Sequence, residues 1–250
     1  MANARFQAVG GAPRVLLSLQ SSIADRMFLM SASALFAGLS KSECQAAAEC
    51  ARTRFLARSD MLFMQGQPIR QIMLIESGCV KLTQLSSNGS EVILWMRGSH
   101  EVIGLAGIST NSNHSCSARA VTSGSALVWD WAKIDSLANA HYQIRRNVNA
   151  ILSGQLNELE ERFREVATEK VSRRVVFALV RLLPQVGKPM HGGIEISLSR
   201  EELAQLTGTT LFTVSRLISR WAELGLVEAR REAVLVLDPY RLSLVSDDEG

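Results

Sequence analysis

The stretch "LSREELAQLTGTTLFTVSRLISRWAELGLV", residues 198–227, decides how this chain folds. Ser199 followed three positions later by Glu202 is a capping box, in which each residue satisfies a backbone N–H that the first helical turn leaves free. Leu203 and Leu206 give that helix an inward face. Gly208 then interrupts it where a left-handed residue permits a sharp turn. Beyond the turn, Val214, Leu217, Ile218 and Trp221 recur at i, i+3, i+4 and i+7, the buried stripe of a second helix. The opposite side carries Thr209, Phe212, Arg216 and Ser219, flanked by Thr213 and Arg220.

Two short helices joined by a glycine turn, the second presenting hydroxyls and an arginine, predict a helix-turn-helix. Arginine can fork onto guanine N7 and O6, hydroxyls can reach phosphates or base edges, and an aromatic can lie against a thymine methyl. The expected DNA-contacting residues are Ser199, Arg200, Thr209, Thr210, Leu211, Phe212, Thr213, Arg216, Ser219 and Arg220. After Gly225, "LVEA", "RRE" and "AVLVL" form a hairpin, the wing of a winged helix, with Arg230 and Arg231 at its tip placed for phosphates.

Upstream, "IEISLS" reads as a short strand and "VGKPMHGG" as a linker-like turn, and an apolar helix from Val171 to Leu183 is expected to stop at Pro184. From 139 to 168 there is no proline, and Val148, Leu152, Leu156, Leu159, Phe163 and Val166 follow a near-heptad rhythm. Such a helix would be roughly 45 Å long. Its N-terminal half has few neighbours in sequence, so the seam needs either an intrachain core or a second copy of the chain. The expected dimer interface is Val148, Leu152, Leu156, Leu159 and Phe163.

From Phe55 to Ile134 the texture is different. "MLFMQG", "QIMLIESGCVKLTQL", "EVILWM" and "SALVWDW" are short runs separated by Gly66, Gly78, "SSNGS" and Gly98, which predicts an antiparallel sandwich or roll with Asn88-Gly89 as its best hairpin signal. Ahead of it, "LFAGLSKSECQAAAECARTR" carries a helix with Ser40 as N-cap and Glu43 completing a capping box. The expected organisation is a loose or weakly helical extension over 1–30, a roll over 31–138, a dimerisation helix over 139–168, and a winged helix-turn-helix with a short acidic tail over 169–250.

Bulk composition is that of an ordinary globular chain, 47% hydrophobic and 20% charged over 250 residues. A formal net charge of +3 means that a nucleic-acid site must come from local clustering of basic residues. Cys44, Cys50, Cys79 and Cys116 form no CxxC pair, the pattern of reduced, mostly buried thiols. The greasy segment from Val15 to Leu39 is broken by Asp25 and Arg26, so no membrane span is expected and the protein reads as cytoplasmic.

From about Leu35 to Leu242 these residues together resemble the CRP/FNR family of bacterial transcription regulators. The stretch at 198–227 matches the family's DNA-binding signature, and "MLFMQGQPIRQIMLIESGCVKLTQLSSNGSEVILWMRGSHEVIGLAGI" matches its β-roll. The resemblance implies an α+β chain: an N-terminal antiparallel β-roll like the jelly roll of cyclic-nucleotide-binding domains, a long dimerisation helix, and a C-terminal winged helix-turn-helix. It further implies an effector pocket in the roll facing the long helix, a homodimer reading palindromic double-stranded DNA, and RNA polymerase as a further partner.

Departures from the family pattern bear on the effector. Cyclic-nucleotide-binding members carry a ribose-binding glutamate after the glycine matching Gly104, where this chain has Leu105. Their phosphate-binding arginine falls near His114. The expected pocket therefore centres on Leu105, His114, Ser115, Cys116 and Arg119, and an effector other than cyclic AMP is expected. Two alternatives stay open: a haem-based sensor of NO, CO or O2, with His100, His114 or His141 as axial ligand, and a cyclic-nucleotide-responsive regulator with an atypical pocket. Cys44 and Cys50 lack the further nearby cysteines of the iron–sulfur members, whereas Cys116 beside His114 is either an inert thiol or a redox sensor. In the recognition helix, Leu211 and Phe212 replace the family's arginine–glutamate pair, and Arg216 is kept one turn later.

A metal-dependent jelly-roll enzyme would need histidines clustered on a strand, but His100, His114, His141 and His191 are scattered. No nucleophile constellation stands out, so no catalytic or metal-binding residue is assigned and the chain is not expected to be an enzyme.

Overall fold

A capping box starts the first helix of the computed structural model, which describes residues 22–105 and 113–245. Asp25 donates its backbone N–H to Ser22 Oγ at 3.1 Å, and Ser22 donates its own to Asp25 Oδ2 at 3.0 Å. Helix α1 (Ile23–Ser31) buries Leu29 and Met30 beside Phe36, Ala47 and Ala48. From Ile23 onward the extension expected to be loose or weakly helical over 1–30 is a helix, docked because two adjacent apolar side chains find a core that local sequence does not reveal. Residues 1–21 of that extension and the acidic tail 246–250 lie outside the described residues. A single 3-10 turn (Ala34–Phe36) leads to α2 (Lys41–Cys50), which begins at the expected Ser40–Glu43 capping box.

Eight strands follow: β1 (Arg52–Leu56), β2 (Met61–Phe63), β3 (Gln71–Ser77), β4 (Val80–Leu85), β5 (Glu91–Arg97), β6 (Val102–Ile103), β7 (Ser117–Ala120) and β8 (Gly124–Asp130). They make two four-stranded antiparallel sheets, ordered β1-β8-β3-β6 and β2-β7-β4-β5. Asn88 and Gly89 lie in the turn between paired β4 and β5, as the sequence predicts. Phe63, Met73, Ile75, Leu82, Ala118 and Val128 fill the space between the sheets. Ile72 and Leu74, on the other face of β3, pack with the flanking helices, which is why this strand reads as an unbroken apolar run. Trp129 on β8 stacks obliquely on Phe36, and its indole N–H donates to the Ala47 carbonyl at 2.8 Å.

The long helix begins three residues later than the sequence suggests. Asn139 and Ala140 close α3 (Trp131–Ala140), the chain turns at His141, and α4 (Tyr142–Thr168) runs for 27 residues, about 40 Å. Its N-terminal half is well covered: Ile144 and Val148 are buried, and Asn147 donates to the Leu35 and Ala37 carbonyls at 2.9 and 2.8 Å. Val148, at 1% exposure, belongs to the chain's own core and offers nothing to a second copy. The helices that fold back over it come from far upstream, which local sequence cannot show. Exposed apolar side chains lie instead farther along, at Leu156 (56%), Phe163 (77%) and Val166.

Helix α5 (Val171–Val186) does not stop at Pro184 but runs through it. So close to the helix end, proline forfeits one backbone bond, and Gly187 restores the ladder by donating to the Leu183 carbonyl at 3.1 Å. The stretch read as a linker contains a strand and the turn that follows it: β9 (Lys188–Met190) pairs with β10 (Gly193–Ile196). Then come α6 (Arg200–Thr207), α7 (Leu211–Glu223), β11 (Val227–Arg230), β12 (Ala233–Val236) and α8 (Pro239–Ser243). The third sheet is ordered β11-β12-β10-β9, so the wing is anchored by two strands that precede the helix pair.

The C-terminal unit does not hang free. Its core of Val176, Leu179, Leu203, Ile218 and Trp221 is continuous with Cys79, Ile93, Met96 and Val121 of the roll. Arg162 on α4 donates to the Ile93 carbonyl (3.1 Å), the Leu94 carbonyl and the Leu206 carbonyl (2.9 Å), tying roll, long helix and α6 together. Gly98 is needed for this approach, since a Cβ there would sit 2.2 Å from the Gln185 carbonyl oxygen. Among the described residues no helix is long and apolar enough to cross a membrane.

Candidate nucleic-acid interface and effector pocket

Local chemistry sets the angle between α6 and α7. Ser199 caps α6, with the Glu202 N–H donating to Ser199 Oγ at 3.1 Å and the Ser199 N–H donating to Glu202 Oε2 at 2.9 Å. Glu202 also takes a bond from Lys81 Nζ of the roll at 3.0 Å. Burial pushes the Glu202 carboxyl up, but the Ser199 N–H and Lys81 outweigh it and hold it below the ordinary range. Gly208, at φ 63° and ψ 45°, makes the left-handed turn, and Arg174 holds its carbonyl at 3.3 Å. Thr210 caps α7 by accepting the Thr213 N–H at 3.2 Å.

Val214, Leu217, Ile218 and Trp221 point into the core, and Leu211, Phe212, Arg216 and Ser219 face out, with Phe212 77% exposed. Thr209, Thr213, Arg200 and Arg220 are half-buried at the edges. Arg216 makes no ion pair among the described residues, so its guanidinium is available. Other expected contact residues are less free. The Ser199 hydroxyl is committed to its capping box, and the Thr210 and Thr213 hydroxyls bond each other at 2.9 Å. Arg230 is not a free phosphate ligand at the wing tip: Glu195 holds its guanidinium at 2.5 Å and Glu228 at 2.9 Å. Arg230 reaches across the sheet face to Glu195 on β10, whereas Arg231 in the turn remains exposed.

A cavity of about 260 Å3 lies between the roll and α4. Leu105, His114, Ser115 and Cys116, expected there from the sequence, all line it, together with Leu152, Leu156 and Leu159 of the helical seam. Arg119 does not. On β7 the buried positions are Ala118 and Ala120, so Arg119 points away and donates to the Ser59 carbonyl at 3.4 Å. Sequence reading missed Phe63, Leu82, Trp95 and Gln155, which also line the cavity. Two-residue alternation along β2, β4 and β5 could have suggested the first three; Gln155 needed the docking of α4. His114 lies flat on Phe63, with ring centroids 3.7 Å apart and planes 7° from parallel.

Comparison with known proteins agrees with this geometry. A cyclic nucleotide-binding domain model matches residues 53–141, and a Crp-like helix-turn-helix domain model matches residues 173–245. The chain belongs to the CRP/FNR family of transcription regulators. The family's transcriptional activator protein Anr of Pseudomonas protegens is 28% identical over 193 residues, 76% of this chain and 79% of that protein. The cyclic AMP receptor protein of Thermus thermophilus is 29% identical, covering 79% of this chain and 89% of its own. FixK2 from Bradyrhizobium japonicum shares the fold at a TM-score of 0.69 and 20% identity, over 78% of this chain and 97% of that one. This family member is a DNA-binding transcription regulator with a cyclic-nucleotide-binding-like domain.

Within the CRP/FNR frame, the described residues do not fit haem. His100 is an exposed turn residue, and His141 is held by Glu43 at 2.8 Å. His114 faces Phe63 in a cavity below the roughly 300–1,000 Å3 usual for small-molecule sites. Among the described residues no three His, Cys, Asp or Glu side chains group to hold a metal ion. Cys79 and Cys116 are buried, Cys44 is half-buried and Cys50 is exposed, so only two of the four thiols are as hidden as composition suggested. Burial pushes the Cys79 thiol up to about 12 and raises Cys116 as well, which makes the pocket thiol a neutral group and a poor nucleophile.

Proposed function

We propose that this regulator works in the cytoplasm as a homodimer joined along α4, and that its paired recognition helices read a palindromic site about one DNA turn apart. The observation that carries the reading is the coincidence of two exposed stripes on otherwise well-packed helices. One is Leu156, Phe163 and Val166 on α4; the other is Phe212 and Arg216 on α7. Exposed apolar side chains recurring along one helix mark an interaction face. In this reading Leu152, Leu156, Leu159 and Phe163 form the interface, Arg216 reads guanine, Phe212 lies against a thymine methyl, and Arg220 and Arg231 contact phosphate. The roll, with its cavity against α4, takes an effector other than cyclic AMP and passes its occupancy to the same helix that joins the two copies. RNA polymerase is the machinery through which the bound dimer acts.

Light scattering at micromolar concentration tests the dimer. Wild type should have the mass of two chains, and Phe163→Glu, which places a charge in the seam, should give a monomer with unchanged circular dichroism. A wild-type monomer would overturn the reading.

A further inference from the structure

The cavity between roll and α4 carries a more specific message about its ligand. This argument rests on the roll being an effector domain. Its walls are Phe63, Leu82, Trp95, Ile103, Leu152 and Leu159, and none of its described lining residues is charged. The segment 106–112, next to His114 in sequence, contains no charged residue either. A carboxylate or phosphate entering here would shed its hydration with no cation to replace it, a cost of several kcal/mol for a charge taken from water.

Among the described lining residues His114, Ser115 and Gln155 interrupt the apolar pattern, and His114 is the buried one of the three. His114 is only 7% exposed, and it lines the cavity. Its place is rigid: the ring is stacked on Phe63, its backbone N–H donates to the Gln67 carbonyl at 2.8 Å, and its carbonyl accepts from the Gly66 N–H at 2.8 Å. Burial lowers the imidazole pKa, so the ring is neutral and offers one donor and one acceptor. The indole N–H of Trp95, also in the cavity wall, is buried without an acceptor. Buried polar groups are almost always bonded, and those left over ask for an explanation.

We propose that this cavity binds an uncharged aromatic or alicyclic molecule of about two fused rings bearing a single hydroxyl or comparable group, which His114 recognises. Size supports the class, since an apolar cavity of roughly 150 Å3 holds one benzene ring and this one is about 260 Å3. The hydroxyl donates to one imidazole nitrogen, or accepts from it in the other tautomer, and the rings pack between Phe63, Leu82 and the leucines of α4. Because Leu152, Leu156 and Leu159 are shared by cavity and seam, a bound molecule presses directly on the helix that carries the proposed dimer contact.

Calorimetry on the full chain at pH 7.5 with 2-naphthol, 2-naphthoate and cyclic AMP tests this. The expected result is binding of 2-naphthol, with both anions at least about tenfold weaker. His114→Phe, which keeps a flat ring against Phe63 and removes both nitrogens, should weaken 2-naphthol about tenfold. Equal or tighter binding of either anion would overturn the proposal, as would no binding of 2-naphthol at about 1 mM or unchanged affinity in a folded His114→Phe. The wild-type selectivity decides the matter even if that variant fails to fold. DNA binding by the same preparation separates the two readings: loss of 2-naphthol binding with DNA binding retained removes only this inference.

Discussion

Arg216→Ala is the sharpest perturbation of the DNA-reading face. The guanidinium is exposed and makes no ion pair among the described residues, so nothing inside the chain is lost with it. Alanine is also the better helix former, and stability should stay within about 0.5 kcal/mol of wild type. All the expected loss therefore falls on DNA. A bidentate arginine–guanine pair is worth roughly 1–3 kcal/mol, about 5- to 150-fold in affinity per half-site, and a dimer loses it twice. Arg230→Ala is the matched control, because Arg230 is held by Glu195 and Glu228 within the chain. The assay is fluorescence anisotropy at one fixed salt concentration, on a site selected from random DNA and on the same site with each guanine replaced in turn. Arg216→Ala should bind both sets alike at one guanine position, whereas Arg230→Ala should keep the wild-type base preference. The reasoning fails if Arg216→Ala retains full preference at every position, or if Arg230→Ala relaxes it equally.

Glu202→Ala removes the capping-box acceptor for Ser199 and the partner of the nearly buried Lys81 ammonium. A loss of about 1–3 kcal/mol in denaturant unfolding is expected, and an unchanged midpoint would show that this junction carries no stability. His114 makes a pH prediction with a definite sign. Its folded pKa lies below the ordinary imidazole value, so the unfolded chain takes up the proton first. Stability is then complete above about pH 6.5 and falls as pH drops below it. Measured between about pH 7.5 and 5.5, wild type should lose stability relative to His114→Phe; parallel curves for the two proteins would refute the idea that a buried neutral imidazole sits there.

Much of the DNA-reading unit was legible because its determinants are local. Ser199 and Glu202 lie one turn apart and cap each other, Gly208 needs only its own missing Cβ to turn left-handed, and the α7 stripe repeats with the helical period. Hairpin β4–β5 and the wing were equally legible from their turns. Arg230 was misjudged for a tertiary reason: its partner Glu195 sits on a strand 35 residues earlier, and nothing local shows that β10 lies in the same sheet as the wing. Phe63 and His114, which face each other in the pocket, are separated in the same way, and no period in the sequence joins them.

By itself, then, the sequence determined the broad order of roll, long helix and winged helix-turn-helix, the outward face of the recognition helix and the lack of a cation where a cyclic phosphate would need one. Those follow from steric and hydrogen-bonding preferences that act within a few residues. Only the tertiary structure decided which part of the long seam is already spent. Val148 is covered by helices that return from the N-terminus, and Leu156 and Phe163 are left facing outward. It also decided that Arg119 turns away from the cavity and that His114, stacked on Phe63, lines it. Burial is a property of what packs over a residue, and here the covering elements come from distant parts of the chain.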